Sequence, residues 1–316
     1  MSKWSAVKSV AVGEFDGVHL GHQAVFAEAE RQAQMLGGTA AGVTFEPRVD
    51  RVLARAGESV LGDLGSVEDR KQLMLAQGLD EVAILEFNSE RAQWQPERFL
   101  QELRRLWPSV EVLVAGEDFT FGAKGAGNAR NFRKIATLAD HERPLRGVFV
   151  PAVRTQNGEK VSSSQIREAL LVGNVDEAAT WLGRSYQLRG KVVHGRAVGR
   201  TWGIPTANLN ISENILIPGP GVYAVDVLLS DGSTYRGGAF VKDVHDPSQA
   251  LYRQPIEVHL LDFSGDLYGA DLMVAFKARI RGYRRFASAE DAVQTIKDDL
   301  AHIRSVSEEP DAGKVF

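Results

Sequence analysis

Cysteine is absent from the 316 residues. That excludes a disulfide scaffold, a zinc site built on thiolates and a cysteine nucleophile, and it agrees with a reducing compartment. No apolar run approaches the roughly 18 residues of a membrane-crossing helix. The opening Met1-Ser2-Lys3-Trp4-Ser5 lacks the basic, apolar, small-residue order of a secretion signal. A cytoplasmic protein without membrane attachment is therefore expected. Positive charge is not in excess either, since 37 Lys and Arg face 41 Asp and Glu. The acidic excess falls within residues 1–183 and residues 184–316 balance, so neither half offers the basic surface that duplex nucleic acid requires. One local run of cations, Arg184 to Arg200, fits a phosphate-facing or solvated stretch. What is present is ample apolar material: 44% hydrophobic and 25% charged residues describe a globular chain. Single cores stop growing near about 250–300 residues, so two domains are expected.

The first half alternates two patterns. Short apolar runs at Ser9–Val12, Thr39–Phe45, Glu81–Phe87, Val110–Ala115 and Leu145–Val150 read as strands. An amphipathic run at Gly21–Met35, stopped by Gly37-Gly38, and helical runs at Glu68–Gln77, Pro96–Leu106, Ser162–Leu171 and Val175–Leu182 read as helices. That alternation implies a parallel sheet covered on both faces. The second half has β-type runs at Tyr186–Val193, Thr206–Ile211, Val222–Leu229, Tyr235–Val241, Ile256–Asp262 and Leu272–Arg279, with Asp231-Gly232 as a hairpin signal. A helix from Ala289 to Ile303, capped by Ser288, follows. Six strands and one helix predict a small closed barrel. The boundary is expected near Gly183–Tyr186, giving domains 1–183 and 184–316.

Four constellations carry chemistry. Gly13-Glu14-Phe15-Asp16-Gly17-Val18-His19-Leu20-Gly21-His22 sits where the first strand meets the first helix. Phosphates bind at such an edge, because glycines admit the ligand and a helix N-terminus offers free N–H groups. His19 and His22 can donate to a transferring phosphate. Gly116 to Gly122 follows an apolar strand; Phe119 and Phe121 either stack a flat ring or serve as core, and Asp118 can accept hydrogen bonds. Ser162-Ser163-Ser164-Gln165-Ile166-Arg167 reads both as a capping box and as a phosphate site. Thr206 and Asn208, two apart on a strand, share a face and offer oxygens to a hard cation, while Glu257 can accept a hydroxyl proton or stand solvated.

These motifs resemble, in order, those of the bacterial bifunctional riboflavin kinase/FAD synthetases. Gly13 to His22 is similar to G-x-F-D-G-x-H-x-G-H, Thr44-Phe45-Glu46-Pro47 to T-F-x-P, and Gly116 to Gly122 to G-x-D/N-F-x-F-G. Ser162 to Arg167 is similar to S-S-S/T-x-I-R, Gly203 to Asn208 to G-x-P-T-A-N, and Glu257 to Phe263 to E-V-H-L-x-D-F. The resemblance implies a Rossmann-like nucleotidyltransferase domain followed by a six-stranded riboflavin kinase barrel with a C-terminal helix. It implies riboflavin, FMN and ATP as substrates and Mg²⁺ as the metal. His19, His22 and Arg167 would then act in adenylyl transfer. Gly13, Phe15, Asp16, Gly17, Gly21, Ser162, Ser163 and Ser164 would hold nucleotide there, and Asp118, Phe119 and Phe121 the flavin. In the barrel, Glu257 would be the base, Thr206 and Asn208 the metal ligands, and Gly195, Gly199 and Arg200 a phosphate loop.

The sequence departs from the family pattern at several points. Arg48-Val49 follows T-F-x-P in place of His-Pro, and Val198 stands in place of an arginine. Gly237-Gly238-Ala239-Phe240-Val241-Lys242 replaces G-V-A-N-I-G, with Phe240 where Asn is usual, and Tyr283 stands where Glu is usual. A degraded kinase module, a flavin-binding regulator without turnover, and a nucleotidyltransferase with another acceptor are the rival readings. The segment from Lys242 to Pro255 is read as a lid over the kinase site.

Overall fold

The computed structural model describes residues 6–58, 60–195, 203–243 and 255–306. They form two compact units: residues up to Leu61 with Ser66–Ser162, and Gly62–Gly65 with Ser163 onward.

In the first unit, β1 (Val7–Val12), α1 (Leu20–Met35), β2 (Thr39–Glu46), α2 (Val49–Leu53), α3 (Val67–Ala76), β3 (Glu81–Glu86) and α4 (Pro96–Leu106) follow one another. They are succeeded by β4 (Val112–Gly116), a hairpin of β5 (Thr120–Phe121) and β6 (Gly127–Asn128), α5 (Phe132–Ala139) and β7 (Arg146–Val150). The main sheet is parallel throughout, in the order β3-β2-β1-β4-β7. Its central strands are buried on both faces, which is why Val10–Val12 of β1 and most of β4 read as apolar runs. Val112 and Val114 join Ala11 against Val25, Phe26, Ala29 and Ala33 of α1. Leu113 and Ala115 join Val10 and Val12 on the other face against Phe99, Leu100 and Leu103 of α4. The burial spacing on α1 and α4 follows the helical period of about 3.6 residues. Pro96 opens α4, where its missing N–H costs nothing.

The second unit begins with α6 (Ser163–Leu171) and α7 (Val175–Leu182). The strands are β8 (Tyr186–Val193), β9 (Ala207–Asn210), β10 (Gly221–Leu228), β11 (Thr234–Val241), β12 (Ile256–Leu260) and β13 (Asp271–Gly282), and α8 (Ala289–Ser305) ends the fold. The strands close a barrel in the order β10-β11-β12-β9-β8-β13, antiparallel at every seam. β8 alternates strictly, with Tyr186, Leu188, Gly190 and Val192 buried. Asp231-Gly232 does turn the chain between β10 and β11: Gly232 has φ 86°, and Ser233 N–H donates to the Asp231 carboxylate at 2.9 Å. Ser288 caps α8, accepting from Asp291 N–H at 3.2 Å. Ile303 and Leu300 of α8 pack on Val222, Ala224, Phe240 and Leu261.

The expected fold class stands, and the elements read from the sequence begin and end within a few residues of those observed, while α2, α5, β5 and β6 were not among them. The compact units divide at Ser162/Ser163, earlier than residue 183. α6 and α7 pack with the barrel because Gly219 N–H donates to Leu170 O at 2.8 Å and Arg279 Nη1 to Val172 O at 2.9 Å.

Candidate active sites

The first site is built where phosphate-binding folds place one, at the carboxyl ends of β1, β2, β4 and β7. A cleft of about 1230 Å³ opens there, lined among others by Gly13, Phe15, His19, Gly21, His22, Asp118, Phe119, Phe121 and Ser162. Motifs scattered over 150 residues of sequence thus meet in one cavity.

The loop from Gly13 to His19 is held tightly. Phe15 has φ 52° and is 2% exposed, Gly17 has φ 78°, and Val18 has φ 45° and is fully buried. Left-handed backbone costs of order 1–3 kcal/mol at a non-glycine residue, so the surroundings must impose it. A Cβ on Gly13 would meet the Phe15 ring at 2.8 Å, so the absence of a side chain at 13 lets that ring tuck beneath the loop. His19 caps α1, its Nδ1 accepting from His22 N–H at 3.3 Å. The two imidazoles stack with centroids 3.5 Å apart. Both rings therefore stand at a helix N-terminus, where the helix dipole favours negative charge.

Two buried arginines fix this loop. Arg48 is 2% exposed and pairs with Asp16, itself 2% exposed, at 3.5 Å, and also with Asp50. Arg70 Nη1 donates to Glu14 O at 2.9 Å, Thr44 Oγ1 at 2.9 Å and Phe45 O at 3.0 Å. Asp16, expected to meet nucleotide, is thus committed to Arg48 inside the loop and does not line the cleft. Sequence reading missed Arg70 altogether and gave Arg48 only as a departure.

Phe119 and Phe121 stack with centroids 5.7 Å apart. Phe121 is 6% exposed and also packs against Phe99 and Phe132, so it is core that reaches the cleft wall. Phe119 is half-buried and offers more ring surface. Asp118 pairs with Lys160, and this ammonium, with His19 adding a weaker pull, holds the carboxyl below its usual range against a rise from partial burial. Trp94, carrying Arg98 4.3 Å above its ring, adds an aromatic wall that no motif announced.

Gly21 offers a test of the loop. A Cβ there would press on the His19 ring at 3.0 Å. Gly21→Ala is expected to leave thermal stability equal or slightly higher, since Ala gains up to about 1 kcal/mol in a helix. The same variant should lose about tenfold in any phosphate chemistry in the cleft. Wild-type turnover in that variant would show that the His19 ring position is immaterial.

Ser162 lines the cleft and ends the first unit. Ser163, exposed Ser164 and buried Arg167 stand on α6 of the second unit, where Arg167 Nε donates to Gly62 O at 2.9 Å.

The second site lies on the barrel. Asn208 of β9 and Phe240 of β11 flank Glu257 of β12 directly across the ladder. Their neighbours Ala207, Leu209, Ala239, Val241, Ile256 and Val258 fill the barrel, so these three side chains face outward. Thr206 Oγ1 donates to Glu257 Oε2 at 3.1 Å, and Lys242 Nζ donates to Glu257 Oε1 at 2.8 Å. Both carboxylate oxygens are held, with the side chain 27% exposed. A Cβ on Gly195 would collide with the Asn208 amide, so a larger residue there would have to push that amide aside. Asn208 is 7% exposed. Phe240 lies 6.3 Å from the Tyr283 ring and packs under α8. Gly199, Arg200, Val198 and most of the segment from Lys242 to Pro255 lie outside the described residues.

Comparison with known proteins agrees with this layout. The family model for FAD synthetase matches residues 2–165, and that for riboflavin kinase matches residues 182–307. A bifunctional riboflavin kinase/FMN adenylyltransferase of Listeria monocytogenes is 34% identical over 306 residues, covering 96% of this chain and 94% of its own. The Bacillus subtilis protein of that name is 35% identical over 300 residues, covering 94% and 92%. A crystal structure from Streptococcus pneumoniae, described as a macrolide-efflux protein, superposes with a TM-score of 0.83 at 32% identity over 95% of both chains. Among the described residues of the present chain no helix is long and apolar enough to cross a membrane. With both family models matched in order and the relatives aligned nearly end to end, the chain belongs to the bifunctional riboflavin kinase/FMN adenylyltransferase family.

Proposed function

We infer that this chain makes FAD from riboflavin in two ATP-dependent steps. In the first, the barrel transfers the γ-phosphate of ATP to the ribityl 5′-hydroxyl of riboflavin, giving FMN. Glu257 takes the hydroxyl proton as the oxygen attacks phosphorus, and ADP leaves. Thr206 orients that carboxylate from Oε2. Phosphoryl transfer asks mainly for positioning and charge stabilisation, so an oriented carboxylate on a rigid barrel suits it. In the second step a phosphate oxygen of FMN attacks the α-phosphate of a second ATP in the cleft, and pyrophosphate leaves. His19 and His22 stabilise the charge that builds on that phosphate. Each such donor can be worth about 10²–10³ in rate.

The donors at the barrel site suit Mg²⁺, which prefers oxygen and keeps waters and phosphates in its shell. The neutral oxygens of Thr206 and of Asn208, the latter close against Gly195, would hold it, and the ion would neutralise phosphate charge. We assign residues 1–183 to adenylyl transfer and 184–316 to phosphorylation, in a cytoplasmic enzyme.

The observation that carries this reading is the pair of built sites in one chain, a histidine-lined cleft and a carboxylate held at both oxygens. Purified protein incubated with Mg²⁺, ATP and riboflavin should yield FMN and then FAD on chromatography, and FMN alone should yield FAD. FAD from FMN with nothing from riboflavin would favour a degraded kinase module, a reading that Phe240 motivates. No product in either tube would overturn catalysis in favour of binding.

A further inference from the structure

The Lys242 ammonium is 5% exposed and lies 2.8 Å from Glu257 Oε1. We propose that Lys242 is a catalytic residue of the kinase site, which leaves Glu257 to bind the phosphate that is being transferred. The proposal rests on the reading of Glu257 as the base.

Three observations lead here. Lys242 directly follows β11, and its backbone N–H donates to Pro255 O at 2.9 Å, so the base of the side chain is anchored beside β12. The ammonium is bonded to one carboxylate oxygen while Thr206 holds the other. The ammonium is buried while Glu257 is 27% exposed, and an ion pair of this kind gives little net stabilisation compared with apolar packing, so stability alone is a weak reason for its placement.

The geometry then fixes what the ammonium faces. A hydroxyl that gives its proton to Glu257 stands about 2.6–3.2 Å from the carboxylate. The phosphorus it attacks lies about 3–3.5 Å further on. A lysine on a flexible four-carbon stem, starting within hydrogen-bond distance of the same carboxylate, reaches the oxygens of that phosphate by rotation of its last bonds. As Glu257 becomes neutral on taking the proton, its hold on Lys242 weakens, and the phosphate oxygens become the stronger partner. The ammonium moves no proton; it follows the negative charge from carboxylate to phosphoryl group.

The test uses the full-length chain, with FAD formation from FMN as the control for the rest of the molecule. Lys242→Met is expected to lower kcat for FMN formation by about 10²-fold, the loss typical of one charge-stabilising donor. The KM for riboflavin should stay within about twofold, and Lys242→Arg should recover part of the rate. Lys242→Gln, which keeps a hydrogen bond to Glu257, should show the same loss and serves if the methionine variant does not fold. The decisive comparison is made in a Glu257→Gln background. A phosphate contact predicts a further loss when Lys242→Met is added there. No further loss would show that Lys242 acts only through Glu257, and undiminished FMN formation in Lys242→Met alone would equally overturn the proposal. Full kinase turnover in Glu257→Gln by itself would instead remove the reading of Glu257 as base, and the loss in the lysine variants would then be judged alone.

Discussion

Replacing Glu257 with glutamine is expected to lower kcat for FMN formation by about 10³-fold while FAD formation from FMN continues at its wild-type rate. The amide keeps the size of the side chain and can still accept from Thr206, whose hydroxyl lies 3.1 Å from Oε2. What is lost is the ability to take a proton, and general bases contribute roughly 10²–10⁴ to rate. The substitution also leaves Lys242 beside a neutral partner. A buried ammonium without its carboxylate is costly, so a lower melting temperature is expected as well. Rate and stability must be measured separately, with turnover taken well below the new transition. Wild-type FMN formation in this variant would remove Glu257 from the chemistry.

The sheet, the barrel and their order were legible because the patterns are strong. Strands buried on both faces, such as the second half of β1 and most of β4, show as apolar runs, and β8 shows as strict alternation. The hairpin of β5 and β6 was not legible, since two-residue strands leave no period to read. The grouping of α6 and α7 with the barrel was invisible for another reason. It depends on backbone bonds from Gly219 and from the Arg279 side chain, which have no signature in either helix.

Within the sites, sequence spacing identified the side chains that gather around the cleft but not the ones that hold them. His19, His22, Asp118 and Phe119 stand in a motif and line the cavity. Arg70 stands in a short helix whose sequence marks no buried face, and an arginine there is normally solvated. Its burial follows from the end of β2 and the loop after β1 presenting three oxygens to one point. Lys242 was noted only as the edge of a divergent segment. Its role emerges because strand register sets Glu257 opposite Phe240, two residues before the lysine. A residue that acts by positioning others, as Arg70 does, needs no fixed spacing to them and so leaves no motif.

That difference makes Arg70 the sharpest test of the cleft. Its guanidinium joins Glu14 O, Thr44 Oγ1 and Phe45 O, and Nη2 reaches Glu46 Oε2 at 3.3 Å. Thr44 Oγ1 in turn donates to Glu14 O at 2.6 Å, and Glu14 Oε1 accepts from Val49 N–H at 2.6 Å. One fork therefore ties the loop bearing the strained Phe15 and Val18 to the end of β2. Arg70→Met fills the volume but removes the donors, and each buried oxygen left short of a partner costs about 1–3 kcal/mol. These losses share one group and do not add fully. We expect a net destabilisation of about 3–5 kcal/mol, read by denaturant titration. The loop should relax where it is strained, and FAD formation should fall at least about tenfold at temperatures where the protein stays folded. FMN formation, which uses the barrel, should persist. Arg70→Lys should rescue little, because an ammonium cannot present a planar fork to oxygens from two segments. Stability within about 1 kcal/mol of wild type, together with undiminished FAD formation, would mean that the loop holds its shape without this arginine, and that packing and the Arg48–Asp16 pair support the strain at Phe15 and Val18.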